Sequence, residues 1–296
     1  LAAAFPELEI ASVGTRPEAA EEIHDADCLL TFGAMMRDEI FQGARQLKWV
    51  QALGTGIDGI ADSPSLGNEV VITSIRGIHG EPMAEMTIML MLALSRDLPR
   101  TIRAQDRASW QRWPARLLQD KTVGILGVGL IAEKLAPLCK IFDMTTLGIT
   151  RTERPVAGID SFHGRDELVQ VVPELDYLVV LVPAMPKTRN IVDEKVLAAM
   201  KPGAYLVNVA RGEVVDEAAL IVALTEGGIK GAALDTFTEE PLPPDHPLWT
   251  TPNTIITPHL GGFCDVYPEK ALPQIETNLR HFLAGKNDQM INLETR

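Results

Sequence analysis

Lys121-Thr122-Val123-Gly124-Ile125-Leu126-Gly127-Val128-Gly129-Leu130-Ile131-Ala132 is the stretch on which the fold turns. An apolar run ends at Gly127, and helix-forming residues begin at Leu130. Gly127 permits a tight turn and Gly129 lets a pyrophosphate approach the backbone. Ala132 keeps the third slot small, so that helix and strand pack closely. The helix N-terminus then offers amide hydrogens and partial positive charge to phosphates. Alone such a loop is a weak signal, and its weight comes from its neighbours.

From 121 onward the chain alternates strand and helix. Short apolar runs at 121–127, 145–150, 176–182, 204–209, 231–236 and 254–257 predict six strands. They are continuous rather than alternating, as expected of parallel strands covered by helices on both faces. Asp193 and Asp216 stand where N-caps belong, and Gly227 stands where a helix closes in a left-handed turn. This spacing predicts a doubly wound α/β domain. Before it, runs at 26–31, 49–53 and 70–74 predict a smaller set of strands, with a helix over 36–45 and one further strand over 8–13. A helix over 82–96 leads into the second domain, and Pro82 suits its first turn. Residues 97–120, with Trp110, Trp113 and Pro114, read as a connector and packing arm. A last helix over 268–284 returns to the first domain. The expected architecture is thus α/β with two doubly wound parallel-sheet lobes. A flavodoxin-like substrate lobe comprises 1–96 plus 265–296, a Rossmann nucleotide-binding lobe comprises 97–264, and a cleft lies between them.

Composition bounds the partners. The 296 residues are 46% hydrophobic and 23% charged, with a net charge of −13. That balance suits a packed globular protein and argues against nucleic acid, which requires clustered Lys and Arg. Local positive charge can still hold an anionic substrate. The longest apolar stretch, Met83 to Leu94, is interrupted by Glu85 and Thr87 and is too short for a bilayer span, so no membrane association is expected. Cys28, Cys139 and Cys264 have neither zinc spacing nor a disulfide pattern. No targeting segment is visible and a cytoplasmic location is expected, although the sequence opens at Leu1 without Met, which leaves targeting open.

Three polar residues follow predicted strands in the second lobe: Arg211, Glu240 and His259. Residues just past the carboxyl ends of parallel strands share one crevice. Each alone is most simply a surface charge or a structural imidazole. Together behind a dinucleotide motif they make a chemical set. Arg211 offers a planar fork to a carboxylate, His259 is a natural proton donor to a carbonyl, and Glu240 on the other ring nitrogen favours the charged imidazole. With hydride from a nicotinamide, such a set reduces a 2-keto acid to a 2-hydroxy acid. Cofactor choice is read at the end of the second strand. Thr150-Arg151-Thr152 stands where an acidic residue would bind a ribose 2′-hydroxyl, and Arg151 suits a 2′-phosphate instead. NADPH is expected, with NADH less favoured.

In combination, Gly54-Thr55-Gly56-Ile57-Asp58, Met83-Ala84-Glu85, Gly127 to Ala132, and the segments 208–219, 235–243 and 258–262 resemble the D-isomer-specific 2-hydroxyacid dehydrogenases. Within that family the chain resembles the NADPH-preferring glyoxylate and hydroxypyruvate reductases. The resemblance implies that Arg211, Glu240 and His259 are the substrate arginine, orienting acid and acid/base histidine. It implies that Gly54, Thr55, Gly56 and Ile57 hold the substrate carboxylate through backbone amides, as an exposed run of N–H groups can. It implies cofactor contacts at Gly127, Val128, Gly129, Leu130, Ile131, Thr150, Arg151, Thr152, Val182, Pro183, Thr188, Ala210 and Asp235, and a homodimer. Ala132 in place of the commoner glycine, Asp120, Ser74 and Gly262-Phe263-Cys264 depart from the family pattern and bear on substrate range. A non-enzymatic NAD(P)-binding sensor or corepressor-like protein on the same fold is the alternative. A formate or phosphite enzyme is a third reading, and Glu240 counts against formate, whose enzymes carry Gln there.

Overall fold

The computed structural model describes residues 1–33 and 36–295. The chain forms two compact units, Leu1–Ile78 with Asp265–Arg296, and His79–Cys264. In the first unit α1 (Arg16–Glu22) is opened by a capping box. The Thr15 hydroxyl accepts the Glu18 amide while the Glu18 carboxylate accepts the Thr15 amide. Then follow β1 (Cys28–Thr31), α2 (Asp38–Phe41), β2 (Trp49–Ala52) and β3 (Val71–Thr73). These strands pair in parallel, β1 to β2 and β2 to β3. Ile40, Phe41, Val50 and Ile72 form their core. Two expectations fail here. The segment 8–13 is not a strand: Ile10 and Val13 are exposed, and no strand pairs with it. Apolar content alone does not make a strand without an edge to join. The helix expected over 36–45 keeps one turn, α2, before the chain turns at Gly43, whose carbonyl bonds His24 Nδ1 at 3.0 Å.

The second unit begins with α3 (Gly80–Ser95) and α4 (Leu98–Asp106). Next come β4 (Thr122–Leu126), α5 (Leu130–Ile141), β5 (Thr145–Thr150), β6 (Ser161–Gly164), α6 (Leu168–Val171) and β7 (Tyr177–Val180). They are followed by α7 (Glu194–Ala199), β8 (Tyr205–Asn208), α8 (Glu217–Thr225), β9 (Gly231–Leu234) and β10 (Thr254–Ile256). The seven strands lie in the order β10-β9-β8-β7-β4-β5-β6. All six pairings are parallel. The order reverses at β4, which neighbours β5 on one side and β7 on the other, so the crevice that open α/β sheets use for ligands lies at its carboxyl end. Val196, Leu220 and Leu224 pack with one face of the sheet. Met91, Leu94, Leu135 and Cys139 pack with the other. The caps expected at Asp193 and Asp216 are present: each Oδ1 accepts a helix amide at 3.0 Å, from Val196 and from Ala219. Gly227 adopts φ +74°. The α3 helix packs along α5 in this unit, whereas the sequence reading kept residues 79–96 with the first.

The chain returns to the first unit through α9 (Tyr267–Leu283) and β11 (Leu293–Glu294). β11 pairs antiparallel with β3 and completes a four-stranded mixed sheet, β1-β2-β3-β11. Trp49, fully buried, packs its ring 5.3 Å from that of Phe282 and donates its indole N–H to Thr73. Thr73 and Asn278 both donate to Gln51 Oε1, so this buried polar row is satisfied.

Candidate active site

Three loops at the carboxyl ends of β8, β9 and β10 build the site within the second unit. After β8, Asn208 folds a tight turn: its amide donates to the Arg211 carbonyl at 2.8 Å and its oxygen accepts the Ala210 amide at 3.1 Å. Arg211 emerges from this turn, and one guanidinium nitrogen donates to the Ala210 carbonyl. After β9, the Glu240 carboxylate accepts the Phe237 amide at 3.0 Å and faces His259 Nδ1 at 2.7 Å. After β10, His259 sits at φ +54°, a left-handed conformation that is unfavourable for a residue bearing a Cβ.

Asp235 holds that strained loop. Its Oδ1 accepts Thr257 Oγ1 at 2.6 Å and the Leu260 amide at 2.9 Å, and its Oδ2 accepts the Gly261 amide at 2.8 Å. Its carbonyl accepts the His259 amide at 2.9 Å. Asp235 is buried, and most of its acceptor capacity is spent on the His259 loop.

Charge joins the three loops. Burial pushes the Glu240 carboxyl up, but the hydrogen bonds from His259 and the Phe237 amide, with the charges of His259 and Arg211, outweigh it and hold the group below its ordinary value. The same Arg211 acts on His79, at the start of α3. Burial first, and then the Arg211 charge, lower the His79 pKa and favour its neutral form. A Cβ on Gly262 would lie 3.0 Å from the His79 ring, and one on Gly261 would lie 2.8 Å from Met83 Sδ. The Gly261-Gly262 pair thus lets the His259 loop lie against α3. Sequence reasoning missed His79, although its place between Gly77 and Gly80 at a helix start was a readable signal. It also missed Gly212, which touches the Glu240 loop.

The nucleotide loop is formed for a phosphate. Gly127 has φ +106°, and a Cβ there would meet the Leu181 carbonyl carbon and the Val182 amide nitrogen at 2.9 Å. Gly129 faces open space, since a Cβ there would have no neighbour within 4 Å. No side chain caps α5, so its first amides are left for a ligand or water. Val128 and Ile131 are partly buried, Leu130 is exposed, and Ala132 is buried against the sheet. A dinucleotide pyrophosphate fits this cradle. Thr150 is buried at the end of β5, with Arg151 and Thr152 exposed beyond it. Val182 packs beneath the loop while Pro183 is exposed. Thr188 is buried, donating to the Pro183 carbonyl at 2.6 Å and accepting the Met185 amide at 2.9 Å. Its hydroxyl braces the 183–188 turn.

Gly54, Thr55, Gly56 and Ile57 lie in the first unit, just past β2. Thr55 donates its hydroxyl to the Ile75 carbonyl, and the Ile75 amide bonds the Gly54 carbonyl, both at 3.0 Å. Ile57 packs its side chain on the core of that unit. Only backbone groups of this loop are therefore suited to an anion. Among the described residues no cluster of His, Cys, Asp and Glu suits a metal ion, and no helix is long and apolar enough to cross a membrane.

A family model described as the NAD binding domain of D-isomer specific 2-hydroxyacid dehydrogenases matches residues 88–261. The D-3-phosphoglycerate dehydrogenase of Methanocaldococcus jannaschii is 33% identical over 284 residues, which cover 95% of this chain and 54% of that protein. The chain therefore spans about half the length of this relative. Among solved structures, a D-isomer specific 2-hydroxyacid dehydrogenase family protein from Aeromonas salmonicida subsp. salmonicida is 32% identical with a TM-score of 0.86, over 99% of this chain and 93% of that one. A D-isomer specific 2-hydroxyacid dehydrogenase from Xanthobacter autotrophicus Py2, in complex with NADPH and MES, is 30% identical with a TM-score of 0.75, over 97% of this chain and 96% of that one.

Proposed function

The chain belongs to the D-isomer specific 2-hydroxyacid dehydrogenase family, and from that premise we propose that it reduces a small 2-keto acid, such as glyoxylate or hydroxypyruvate, to the 2-hydroxy acid with NADPH. The observation that carries this reading is His259 Nδ1 held 2.7 Å from Glu240 Oε2, with Arg211 close enough for its charge to act on the same carboxylate.

Each residue has a defined task in this reading. Arg211 presents its fork to the substrate carboxylate and directs positive charge at the neighbouring carbonyl oxygen. The Gly127 to Ile131 loop would hold the pyrophosphate of NADPH, whose reduced nicotinamide would supply the hydride for the carbonyl carbon. His259 delivers a proton from Nε2, the ring nitrogen opposite the Glu240 contact, to the carbonyl oxygen, so the product carries one new C–H and one new O–H bond. Glu240 fixes the orientation and tautomer of the ring through its contact with Nδ1. Asp235 keeps the ring in place through the loop. The amides of Gly54, Thr55, Gly56 and Ile57 are proposed as an anion-binding loop of the first unit. Arg151, with Thr150 and Thr152, supports NADPH over NADH, since a guanidinium at the end of β5 suits a 2′-phosphate and no carboxylate stands there for a 2′-hydroxyl.

A homodimer is part of the proposal. The second unit carries an apolar depression lined by Ile88, Met89, Leu92, Leu98, Leu138 and Phe142, and Ile102 and Trp110 are exposed. An apolar face of this kind suits a second copy of the chain, and sedimentation of the purified protein tests it. The activity is tested with a panel of 2-keto acids run with NADPH and NADH. Oxidation of NADPH with glyoxylate or hydroxypyruvate is expected. Binding of the cofactor with no turnover on any keto acid refutes the reading in favour of a nucleotide-binding sensor.

A further inference from the structure

Arg165 plays no part in the site described so far. It follows β6, the edge strand that the sequence reading did not foresee. The register pairs Thr150 with Gly164, so Arg151 and Arg165 are the first residues past the paired ends of two adjacent parallel strands. Such strands lie about 4.8 Å apart. The two guanidinium groups are near enough to act on each other: burial first, and then the charge of Arg151, lower the pKa of Arg165.

The protein does little to offset this like-charge pair. Among the described residues no carboxylate pairs with Arg151 or Arg165. Arg165 Nε is buried with no hydrogen-bond partner. Nearby charges are engaged elsewhere: Glu167 accepts the Gly164 amide at 2.6 Å, and Arg154 pairs with Glu133 at 2.5 Å. Asp166 is exposed and bends back over Gly164. Buried donors are almost always satisfied in native proteins, and packing alone gives no reason to bring two unpaired guanidinium groups within range of each other's charge. A dianion supplies what is missing: acceptors for the guanidinium forks and charge against both cations.

We propose that Arg165 is the second arm of a two-arginine receptor for a phosphomonoester, and that with Arg151 it grips the 2′-phosphate of NADPH. The inference rests on the NADPH reading given above. It adds that preference is set by two strands, with the partly buried Arg165 as the pre-positioned arm and the exposed Arg151 as the mobile one.

The test is calorimetric titration of the wild-type protein, Arg151→Met and Arg165→Met with NADPH, NADH, 2′,5′-ADP and 5′-AMP. Arg165→Met is expected to weaken NADPH and 2′,5′-ADP by about tenfold or more, the usual scale for a charge-assisted hydrogen bond, and to leave NADH and 5′-AMP within about twofold. A parallel loss of NADPH and NADH affinity makes Arg165 a packing residue and overturns the inference. Retained NADPH preference in Arg165→Met, with loss in Arg151→Met, overturns it too, while the NADPH reading stands. Wild-type protein that binds NADH as well as NADPH removes the NADPH reading and the inference with it. Should Arg165→Met not fold, Arg165→Lys keeps the charge without the fork or Nε. A full wild-type preference in that variant is the overturning result, and a reduced one is expected.

Discussion

Replacing Gly212 by alanine tests whether the arginine loop and the Glu240 loop behave as one rigid piece. Gly212 follows Arg211 directly and is buried. A Cβ on it would stand 1.9 Å from the Phe237 carbonyl carbon, 2.1 Å from the Thr238 nitrogen and 2.4 Å from the Phe237 oxygen. All three are backbone atoms, so no side chain can rotate away. Real Cβ atoms essentially never approach within 3.0 Å, so one backbone has to move by roughly 1 Å, and misplacement on that scale costs on the order of 100-fold in rate. The displacement reaches the chemistry by a short route. The Phe237 amide holds Glu240 at 3.0 Å, and Glu240 holds His259 at 2.7 Å. Overpacking of this kind also costs about 1–3 kcal/mol of stability, which a folded domain survives with a Tm lower by some degrees. The variant is therefore expected to fold and to bind NADPH within about threefold of wild type, while kcat/KM for the keto acid falls about 100-fold. The assay is steady-state kinetics beside a thermal melt and a cofactor titration. A folded variant with kcat/KM within about threefold of wild type refutes the coupling of the two loops. Lost cofactor affinity shows that the loop serves the nucleotide instead.

Arg211→Lys loses the bidentate fork, so KM is expected to rise and kcat to fall, with kcat/KM down about 10- to 100-fold; near-normal kinetics remove Arg211 from the substrate. His259→Gln is expected to lower kcat by about 100-fold or more while NADPH titrates as in wild type, and failure to bind cofactor makes His259 structural. Acidification is expected to cost stability through His79. Its folded-state pKa lies below the ordinary 6.5, so the unfolded chain takes up a proton first as pH falls. The contribution is therefore complete above about pH 6.5 and is lost as pH drops through the folded-state value. Urea unfolding from pH 8 to pH 5 reads this, and His79→Gln is expected to flatten the slope; an unchanged slope assigns the loss to other groups.

The second unit was readable because its strands carry no alternation. Short apolar runs bounded by Gly, Asp or Pro leave few alternatives once helices must cover both faces. Asp193 and Asp216 were legible for a local reason, since a cap is decided within three residues. The misses are non-local. Ser161-Phe162-His163-Gly164 has no apolar run and becomes β6 only because β5 offers an edge. Leu293-Glu294 is two residues long and exists by pairing with β3. The segment 8–13 has the apolar content of a strand and no such edge. In the site, Arg211, Glu240 and His259 were visible as residue types after strands. Asp235 as loop anchor and Arg165 beside Arg151 depend on contacts between segments distant in sequence, which no local pattern reports. Thr188 as brace, by contrast, bonds within its own turn, and His79 carried a local signal in its flanking glycines.

The two-residue strand β11 has a consequence for how the polypeptide matures. Glu294 accepts Ser74 Oγ and pairs with Arg76 at 2.6 Å, while Asn278 binds both the amide and the carbonyl of Ile291. During synthesis, residues 1–78 leave the ribosome long before those partners exist, so the sheet they start keeps an unpaired β3 edge. The uninterrupted segment 79–264 is finished first and is free to fold as a unit. The half-built lobe therefore has to wait through the translation of its neighbour, exposing a sticky strand margin until the closing residues arrive. Removal of Leu293 and Glu294 would leave that margin open permanently, and the defect would appear as aggregation of nascent protein rather than as a lesion in catalysis.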